Sequence, residues 1–167
     1  MLEEIVEFIE SNPNKRFALF SDMDGVLARL NIDVNGDIPK NTPGFFLDKE
    51  PIEDVIYTLK CFSKYKNVDM YILSACVHEE QARDKAIWLE RNAKYFTPDK
   101  QIFVVKNTVK YDKDTKADIK TKNIDKVLTD KGYDYAIYVD DELQMLRVAK
   151  RRLLDKIFCM HISDFID

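Results

Sequence analysis

The segment FALFSDMDGVLARL, residues 17–30, joins a short apolar run to two closely spaced aspartates. The run over residues 17–20 is typical of a buried β-strand that stops just before Asp22. Asp24 follows with one residue between them, and Gly25 stands directly behind it. Such a pair can form a turn, a helix cap or a reaction centre, and both Asp and Gly are common in turns. The remainder of the chain decides between these interpretations.

Helical and strand periodicity alternate along the whole chain. Helices are predicted over residues 2–10, 52–62, 79–91, 123–131 and 142–153. Strands are predicted over residues 17–20, 68–75, 101–105, 135–139 and 157–160, and a loop-rich stretch occupies residues 31–51. This alternation predicts an α/β fold with a mostly parallel central sheet and helices on both of its faces.

Composition excludes several classes of protein. A length of 167 residues favours a single domain, and 46 % hydrophobic with 34 % charged residues is ordinary for a globular protein. The net charge of −4 argues against nonspecific binding to nucleic acids or membranes. The three cysteines form no CxxC pair, and no apolar run approaches the roughly 20 residues of a membrane span. We therefore expect a cytoplasmic protein without a disulfide framework.

Polar residues stand at the carboxyl ends of three predicted strands. They are Asp22, Ser74 and the pair Asp140 and Asp141. Ligands of parallel α/β sheets bind outside these strand ends, so the four residues are expected to meet in one crevice. Clustered carboxylates repel each other unless a cation lies between them, and an oxygen-only ligand set suits Mg²⁺. A Mg²⁺ held by a few carboxylates commonly also binds a substrate phosphate, which predicts a phosphoryl-transfer site.

Such a crevice would divide the chemistry between the two first aspartates. The carboxylate of Asp22 is the candidate nucleophile that attacks phosphorus and forms an aspartyl phosphate. Asp24 is the candidate general acid and base for the leaving alkoxide and the incoming water. Ser74, with a backbone N–H from the loop behind it, would bind a phosphate oxygen, and a lysine would balance the phosphoryl charge.

Three of these motifs resemble a known superfamily when they are taken together. DMDGVLA, YILSA and YVDD are similar to the first, second and fourth motifs of the haloacid dehalogenase (HAD) superfamily of phosphatases. With PGFFLDKEPIEDV they look most like its 5′(3′)-deoxyribonucleotidase branch. The resemblance covers roughly residues 16–160. It implies a Rossmann-like HAD fold over residues 1–167, with a minimal cap around residues 30–66 after the first strand.

The resemblance also implies a role for each motif residue. Asp22 would be the nucleophile and a Mg²⁺ ligand, and Asp24 would be the acid and base and bind the metal through its carbonyl. Asp140 and Asp141 would complete the metal site. Phosphate would be bound by the second motif, at Ser74 and Ala75.

The third motif of the superfamily is a lysine, and several lysines of this chain could supply it. Lys116 is our first choice, because a lysine at the start of a helix after the third strand fits the superfamily. Lys106, directly after the third strand, is the second choice, and Lys120 is a further candidate.

The resemblance suggests a small phosphorylated metabolite as substrate, with a nucleoside monophosphate as the first candidate. Phe45 and Phe46 could contact a base or a sugar, or simply pack the cap onto the core. Val26 replaces the threonine of the common DxDGT motif, as it tends to do in the nucleotidase branch. A sugar phosphate, another small phosphate and a non-catalytic phospho-ligand binder remain alternatives. We expect Cys76 to be a small filler residue and His78 to face solvent.

Overall fold

The computed structural model describes residues 1–30, 44–106 and 115–165. Its strands are β1 (Phe17–Ser21), β2 (Val68–Cys76), β3 (Gln101–Val105), β4 (Tyr135–Asp140) and β5 (Ile157–His161). Its α-helices are α1 (Leu2–Ser11), α2 (Glu53–Phe62), α3 (Glu79–Asn92), α4 (Lys116–Lys131) and α5 (Leu143–Leu153). Short 3₁₀ helices cover Pro98–Lys100, Leu154–Lys156 and Ile162–Phe165.

The described strands form one parallel sheet in the order β3-β2-β1-β4-β5. β1 is central, and Phe17 pairs with Val68 of β2 on one side and with Tyr135 of β4 on the other. All five residues of β1 are buried, which explains its continuous apolar run. The chain builds one side of the sheet and then the other, so the order reverses at β1. A crevice is expected outside the carboxyl end of β1.

Helices cover both faces of the sheet, as the alternation of periodicities predicts. Alternate residues of β1 point into two separate cores: Phe17 and Leu19 into one, Ala18 and Phe20 into the other. The first core contains apolar residues of α1, α2 and α3, and the second contains those of α4 and α5. The α/β class and the parallel sheet are therefore confirmed.

The fourth helix is longer than its sequence pattern indicates. α4 begins at Lys116 instead of residue 123, and Thr115 caps it through a reciprocal capping box with Asp118. Its buried residues include Ala117 and Ile119 in the first turn. Lysines are interspersed with these apolar residues, which conceals the buried face from a count of hydrophobic positions.

Residues 50–52, just before α2, run beside the loop that follows β1. Ala28 and Pro51 form an antiparallel bridge, and the Ile52 N–H donates to the Leu27 carbonyl at 2.7 Å. α2 itself packs in the core of the sheet. Residues 31–43 of the predicted cap lie outside the described residues. No helix among the described residues has the length and apolar character to cross a membrane.

Candidate active site

The loop after β1 presents Asp22 and Asp24 at the carboxyl end of the central strand. The Asp22 N–H donates to the Val139 carbonyl of β4 at 2.9 Å, which continues the sheet pairing by one residue. The N–H groups of Leu27 and Ala28 both donate to the Met23 carbonyl at 2.9 Å and close a tight loop. The loop therefore fixes the position of both aspartates relative to β4.

Gly25 has a positive φ of +78°, and a Cβ at this position would lie 2.2 Å from Oδ2 of Asp141. Glycine is required here for two reasons, the left-handed backbone and the close approach of a side chain. In the structure it makes room for the Asp141 carboxylate.

Three carboxylates, one just after β1 and two at the end of β4, form an acidic cluster. Asp22, Asp140 and Asp141 each offer an oxygen within 4.8 Å of the others. Lys120 of α4 lies 2.9 Å from Oδ2 of Asp22 and 2.9 Å from Oδ2 of Asp140. Its side chain is buried, so these carboxylates compensate an ammonium that would otherwise be very unfavourable there.

The cluster shifts the pKa values of its members in different directions. Burial acts to raise the pKa of Asp22, but the charges of Lys120 and Lys85 outweigh it and hold that pKa below its ordinary value. Burial and the Asp22 charge raise the pKa of Asp140. Burial and the same neighbouring charge raise the pKa of Asp141 to about 6. The cluster thus carries electrostatic repulsion that Lys120 only partly relieves.

A divalent cation would relieve the rest of this repulsion. The donors of the cluster are all carboxylate oxygens, and His161 near it is engaged with the Asp141 carbonyl and Ser163. Hard oxygen ligands favour Mg²⁺ over zinc or copper. The residues therefore fit the Mg²⁺ site that the sequence predicted.

Two buried lysines, neither of them predicted as a site residue from the sequence, each donate a hydrogen bond to the Asp24 carboxylate. Lys49 donates to its Oδ1 and Lys85 to its Oδ2, each at 2.5 Å. Lys85 also donates to Ser74 Oγ at 3.0 Å and to the Ala75 carbonyl at 2.8 Å. One ammonium therefore links the second aspartate of β1's loop to the predicted phosphate-binding residues of β2.

Among the described residues, Lys120 and not Lys116 is the lysine paired with the acidic cluster. Lys116 is the first residue of α4, is half-exposed, and pairs with Glu142 at the rim of the crevice. Lys120 lies about one turn further along the same helix and points into the buried cluster. The structure thus separates our first choice for the third-motif lysine from Asp22. Lys106 also lines the crevice.

A pattern in α4 and α3 could have revealed two of these lysines. Lys120 occupies a position of the buried stripe formed by Ala117, Ile124 and Leu128. Lys85 likewise lies on the buried face of α3, beside Trp88 and Leu89. A lysine inside an apolar helical stripe must find a buried anion, and that requirement is a usable signal.

The aspartates open into a crevice of about 650 Å³. Acidic residues and Ser74 form one part of its lining, and Leu30, Phe46, Cys76 and Val77 form an apolar part. Burial raises the pKa of the Cys76 thiol to about 11, so this cysteine is a neutral filler at physiological pH. His78 directly precedes α3 and is exposed.

The two phenylalanines predicted to contact substrate have different surroundings. Phe46 is buried and lines the crevice, while Phe45 packs against it edge-to-face with ring centroids 5.1 Å apart. The Lys49 ammonium lies 4.6 Å from the Phe46 ring centroid, and that of Lys85 lies 4.7 Å from it. Phe46 therefore contacts both cations that bracket Asp24.

Comparison with known proteins identifies the fold. The structure is similar to a protein from Burkholderia xenovorans described as a haloacid dehalogenase-like hydrolase, with a TM-score of 0.56 and 13 % identity. That similarity covers 87 % of this chain and 81 % of the other. It is also similar to the HAD domain of the effector protein Lem4 from Legionella pneumophila, with a TM-score of 0.50 and 12 % identity over 87 % of this chain and 86 % of that one.

No family model and no curated protein matches the sequence. At such low identity the structural neighbours show the fold alone. The chain therefore has the Rossmann-like fold of haloacid dehalogenase-like hydrolases, as its three motifs suggested.

Proposed function

We propose that this protein is a Mg²⁺-dependent phosphomonoester hydrolase that acts through an aspartyl phosphate on Asp22. The observation that carries the proposal is the meeting of Asp22, Asp140 and Asp141 within 4.8 Å, beside a second aspartate two residues after the first. A fold shared with HAD-like hydrolases supports it.

The metal would be held by the acidic cluster together with the main-chain carbonyl of Asp24. When bound, Mg²⁺ neutralises charge on the phosphoryl oxygens. Lys120 supplies a second, permanent charge beside the nucleophile. Ser74 Oγ and a backbone N–H at Ala75 would orient the phosphoryl group at the end of β2.

The reaction divides between the two aspartates of the first motif. A carboxylate oxygen of Asp22 forms a bond to phosphorus while the bond from phosphorus to the ester oxygen breaks. Asp24 must enter this step protonated, and it gives that proton to the leaving oxygen. Asp24 then accepts a proton from the water that attacks the phosphorus of the aspartyl phosphate, which releases inorganic phosphate and restores Asp22.

A small phosphorylated metabolite is the proposed substrate, and a nucleoside monophosphate is the first candidate because Phe46 lines the crevice. The ammonium groups of Lys49 and Lys85 lie within 5 Å of the Phe46 ring centroid, so they take up space beside the ring that a stacked base would need. That observation favours the alternative of a sugar phosphate or a similar small phosphate. We propose that the protein binds neither a nucleic acid polymer nor a membrane. We also propose that it is cytoplasmic.

A non-catalytic phospho-ligand binder is the candidate function from another class. The bracketed carboxylate of Asp24 is the observation that favours it, since both of its oxygens accept hydrogen bonds from lysines. In a binding protein this aspartate would only hold the two lysines in place. Turnover therefore decides between the two functions.

The test is hydrolysis of 4-nitrophenyl phosphate and of a panel of nucleoside and sugar monophosphates, with Mg²⁺ or with EDTA. We expect turnover by the wild type with Mg²⁺ and a loss of several orders of magnitude in Asp22→Asn. Asp130→Asn, on the exposed side of α4, is the matched control and should keep full activity. Phosphate binding without turnover would instead establish the binding function.

A further inference from the structure

Lys49 has no part in the mechanism above, although it contacts the proposed acid and base. We propose that Lys49 is a positioning residue that acts through Asp24 and holds its carboxylate toward the leaving group of the substrate. This inference rests on the proposed function. It concerns one residue of the stretch 44–52 just before α2, which lies outside the three motifs.

The position of Lys49 is fixed at both its backbone and its ammonium group. The Trp88 indole N–H donates to the Lys49 carbonyl at 2.8 Å, and Trp88 is itself fully buried. The Lys49 side chain is only 1 % exposed, and its ammonium lies over the rings of Phe45 and Phe46. A buried ammonium is costly without an anion, so the contact with Asp24 Oδ1 is strongly favoured.

Lys49 and Lys85 differ in what else they contact. Lys85 also donates to Ser74 and to Ala75, so its loss would disturb the phosphate-binding end of β2 as well as Asp24. Among the described residues, the polar partner of the Lys49 ammonium is Asp24. Removal of the Lys49 charge therefore changes Asp24 and leaves the phosphate-binding contacts in place.

The Lys49 ammonium reaches Asp24 beside the ring of Phe46, which also lines the crevice. Lys49, Phe46 and Leu30 line the crevice together with Asp24, whereas Lys120 lies at the acidic cluster. With phosphorus at Asp22, an ester oxygen that takes a proton from Asp24 must face that carboxylate. Lys49, through its contact with Oδ1, would hold the carboxylate in that position.

A residue that acts through the general acid affects substrates unequally. An alkyl ester needs a proton on its leaving oxygen, whereas 4-nitrophenolate leaves readily without one. Loss of correct positioning should therefore reduce hydrolysis of the alkyl ester much more than that of the aryl ester. A residue that only supports the fold would reduce both equally.

The experiment compares kcat/KM for 4-nitrophenyl phosphate with that for the best alkyl phosphate of the substrate panel. In Lys49→Met we expect the alkyl ester to lose at least about tenfold more than the aryl ester, a part of the 10²–10⁴ that general acid catalysis contributes. Lys49→Arg should restore part of the difference. In an Asp24→Asn background, Lys49→Met should have little further effect on either ester.

Binding measurements provide a readout that does not depend on turnover. Calorimetry with inorganic phosphate and Mg²⁺ should give the same affinity for Lys49→Met as for the wild type within about twofold, since Lys49 does not hold the phosphoryl group. Lys126→Met, on the exposed side of α4, is the control. If Lys49→Met does not fold, Lys49→Gln keeps an uncharged donor and is compared with the same two esters.

Three results would overturn the inference. They are equal losses for both esters, additive losses in the Asp24→Asn background, and a large loss of phosphate affinity. A wild type that binds phosphate but hydrolyses no ester would instead overturn the proposed function, and with it the positioning role. The two failures are thereby distinguished by the wild-type protein alone.

Discussion

Gly25 and Asp141 are so close that a methyl group on Gly25 would lie 2.2 Å from the Asp141 carboxylate. They belong to loops after two neighbouring strands, β1 and β4, that pair along their whole common length. Because Gly25 has no side chain, the Asp141 carboxylate can lie against the loop after β1. This contact gives the first prediction.

Gly25→Ala should both destabilise the protein and weaken Mg²⁺ binding. The left-handed backbone costs about 1–2 kcal/mol for a residue with a Cβ, and the overlap with Asp141 adds to that cost. Gly132→Ala is the matched control, because Gly132 also has a positive φ but its nearest side-chain atom would be 3.9 Å from the Cβ. Denaturant unfolding and Mg²⁺ calorimetry separate the effects. Equal Mg²⁺ affinities in the two variants would contradict the prediction.

Lys120→Met should destabilise the metal-free protein by about 3–5 kcal/mol, because it leaves two buried carboxylates without their cation. Added Mg²⁺ should restore part of the loss by binding among the same carboxylates. Lys126→Met on the same helix removes an exposed pair with Asp130 and should change stability by less than about 0.5 kcal/mol. Urea unfolding with and without Mg²⁺ measures both. A loss that Mg²⁺ leaves unchanged would argue against a metal site beside Lys120.

Asp141→Asn should have opposite effects on the two forms of the protein. Burial and the charges of Asp22 and Asp140 raise the pKa of Asp141 to about 6, so its charge is unfavourable in the metal-free fold and its removal relieves repulsion. The same change removes a ligand from the proposed Mg²⁺ site. Mg²⁺ at a hundred times its Kd should stabilise the wild type by about 2.7 kcal/mol and the variant by much less at that concentration. A thermal shift assay reads both, and an unchanged Mg²⁺ response would exclude Asp141 as a ligand.

Asp69, at the opposite end of β2 from the active site, should contribute stability that depends on pH. Burial acts to raise its pKa, but hydrogen bonds from Lys100 and Tyr133 outweigh it and leave the pKa below the ordinary value of 3.8. A lowered pKa in the folded state means that the ionised carboxylate stabilises the fold above pH 3.8. That contribution is lost as the pH falls through the lower folded-state value.

Asp69→Asn should therefore be less stable than the wild type by about 1 kcal/mol at pH 7, since the carboxylate is partly exposed and the pair is screened. The difference should shrink when unfolding is measured below pH 3. A difference that stays constant from pH 7 to below pH 3 would mean that the charge of Asp69 is not what stabilises the fold.

Much of the fold could be predicted because the pattern of apolar residues follows local geometry. Every predicted strand and helix lies within or close to an observed element, and the positions of Asp22 and Asp140 could be aligned from parallel pairing alone. Ser74 was predicted at the end of its strand, but β2 continues past it to Cys76. The start of α4 was predicted too late, since its first turn alternates lysines with small and apolar residues. Lys116 was chosen because the superfamily has a lysine at the start of this helix, although the helix was predicted only from residue 123. In the structure α4 does begin at Lys116.

The cations of the site were harder to predict than its anions. Lys85 and Lys120 are buried in helices, and a count of hydrophobic positions treats any lysine as solvent-facing. Lys49 gives no local signal at all. It reaches Asp24 because residues 44–52 pass along the loop after β1, where Arg29 donates from its N–H to the Glu50 carbonyl at 2.9 Å. Such a tertiary contact has no counterpart in periodicity.

The contact between Lys120 and Asp140 also bears on the order in which the molecule can assemble. The two residues are 20 positions apart, on consecutive elements, whereas Asp22 lies in the first part of the chain. The closure of a short loop costs less entropy than the closure of a long one, so this ion pair can form within the unit of α4 and β4 alone. A carboxyl-terminal half in which this pair has formed would meet β1 with the charge of Asp140 already compensated. When the two halves of the sheet pair, Asp22 would then approach an Asp140 that already has Lys120 beside it. The repulsion between the carboxylates would be smaller than it would be without that lysine.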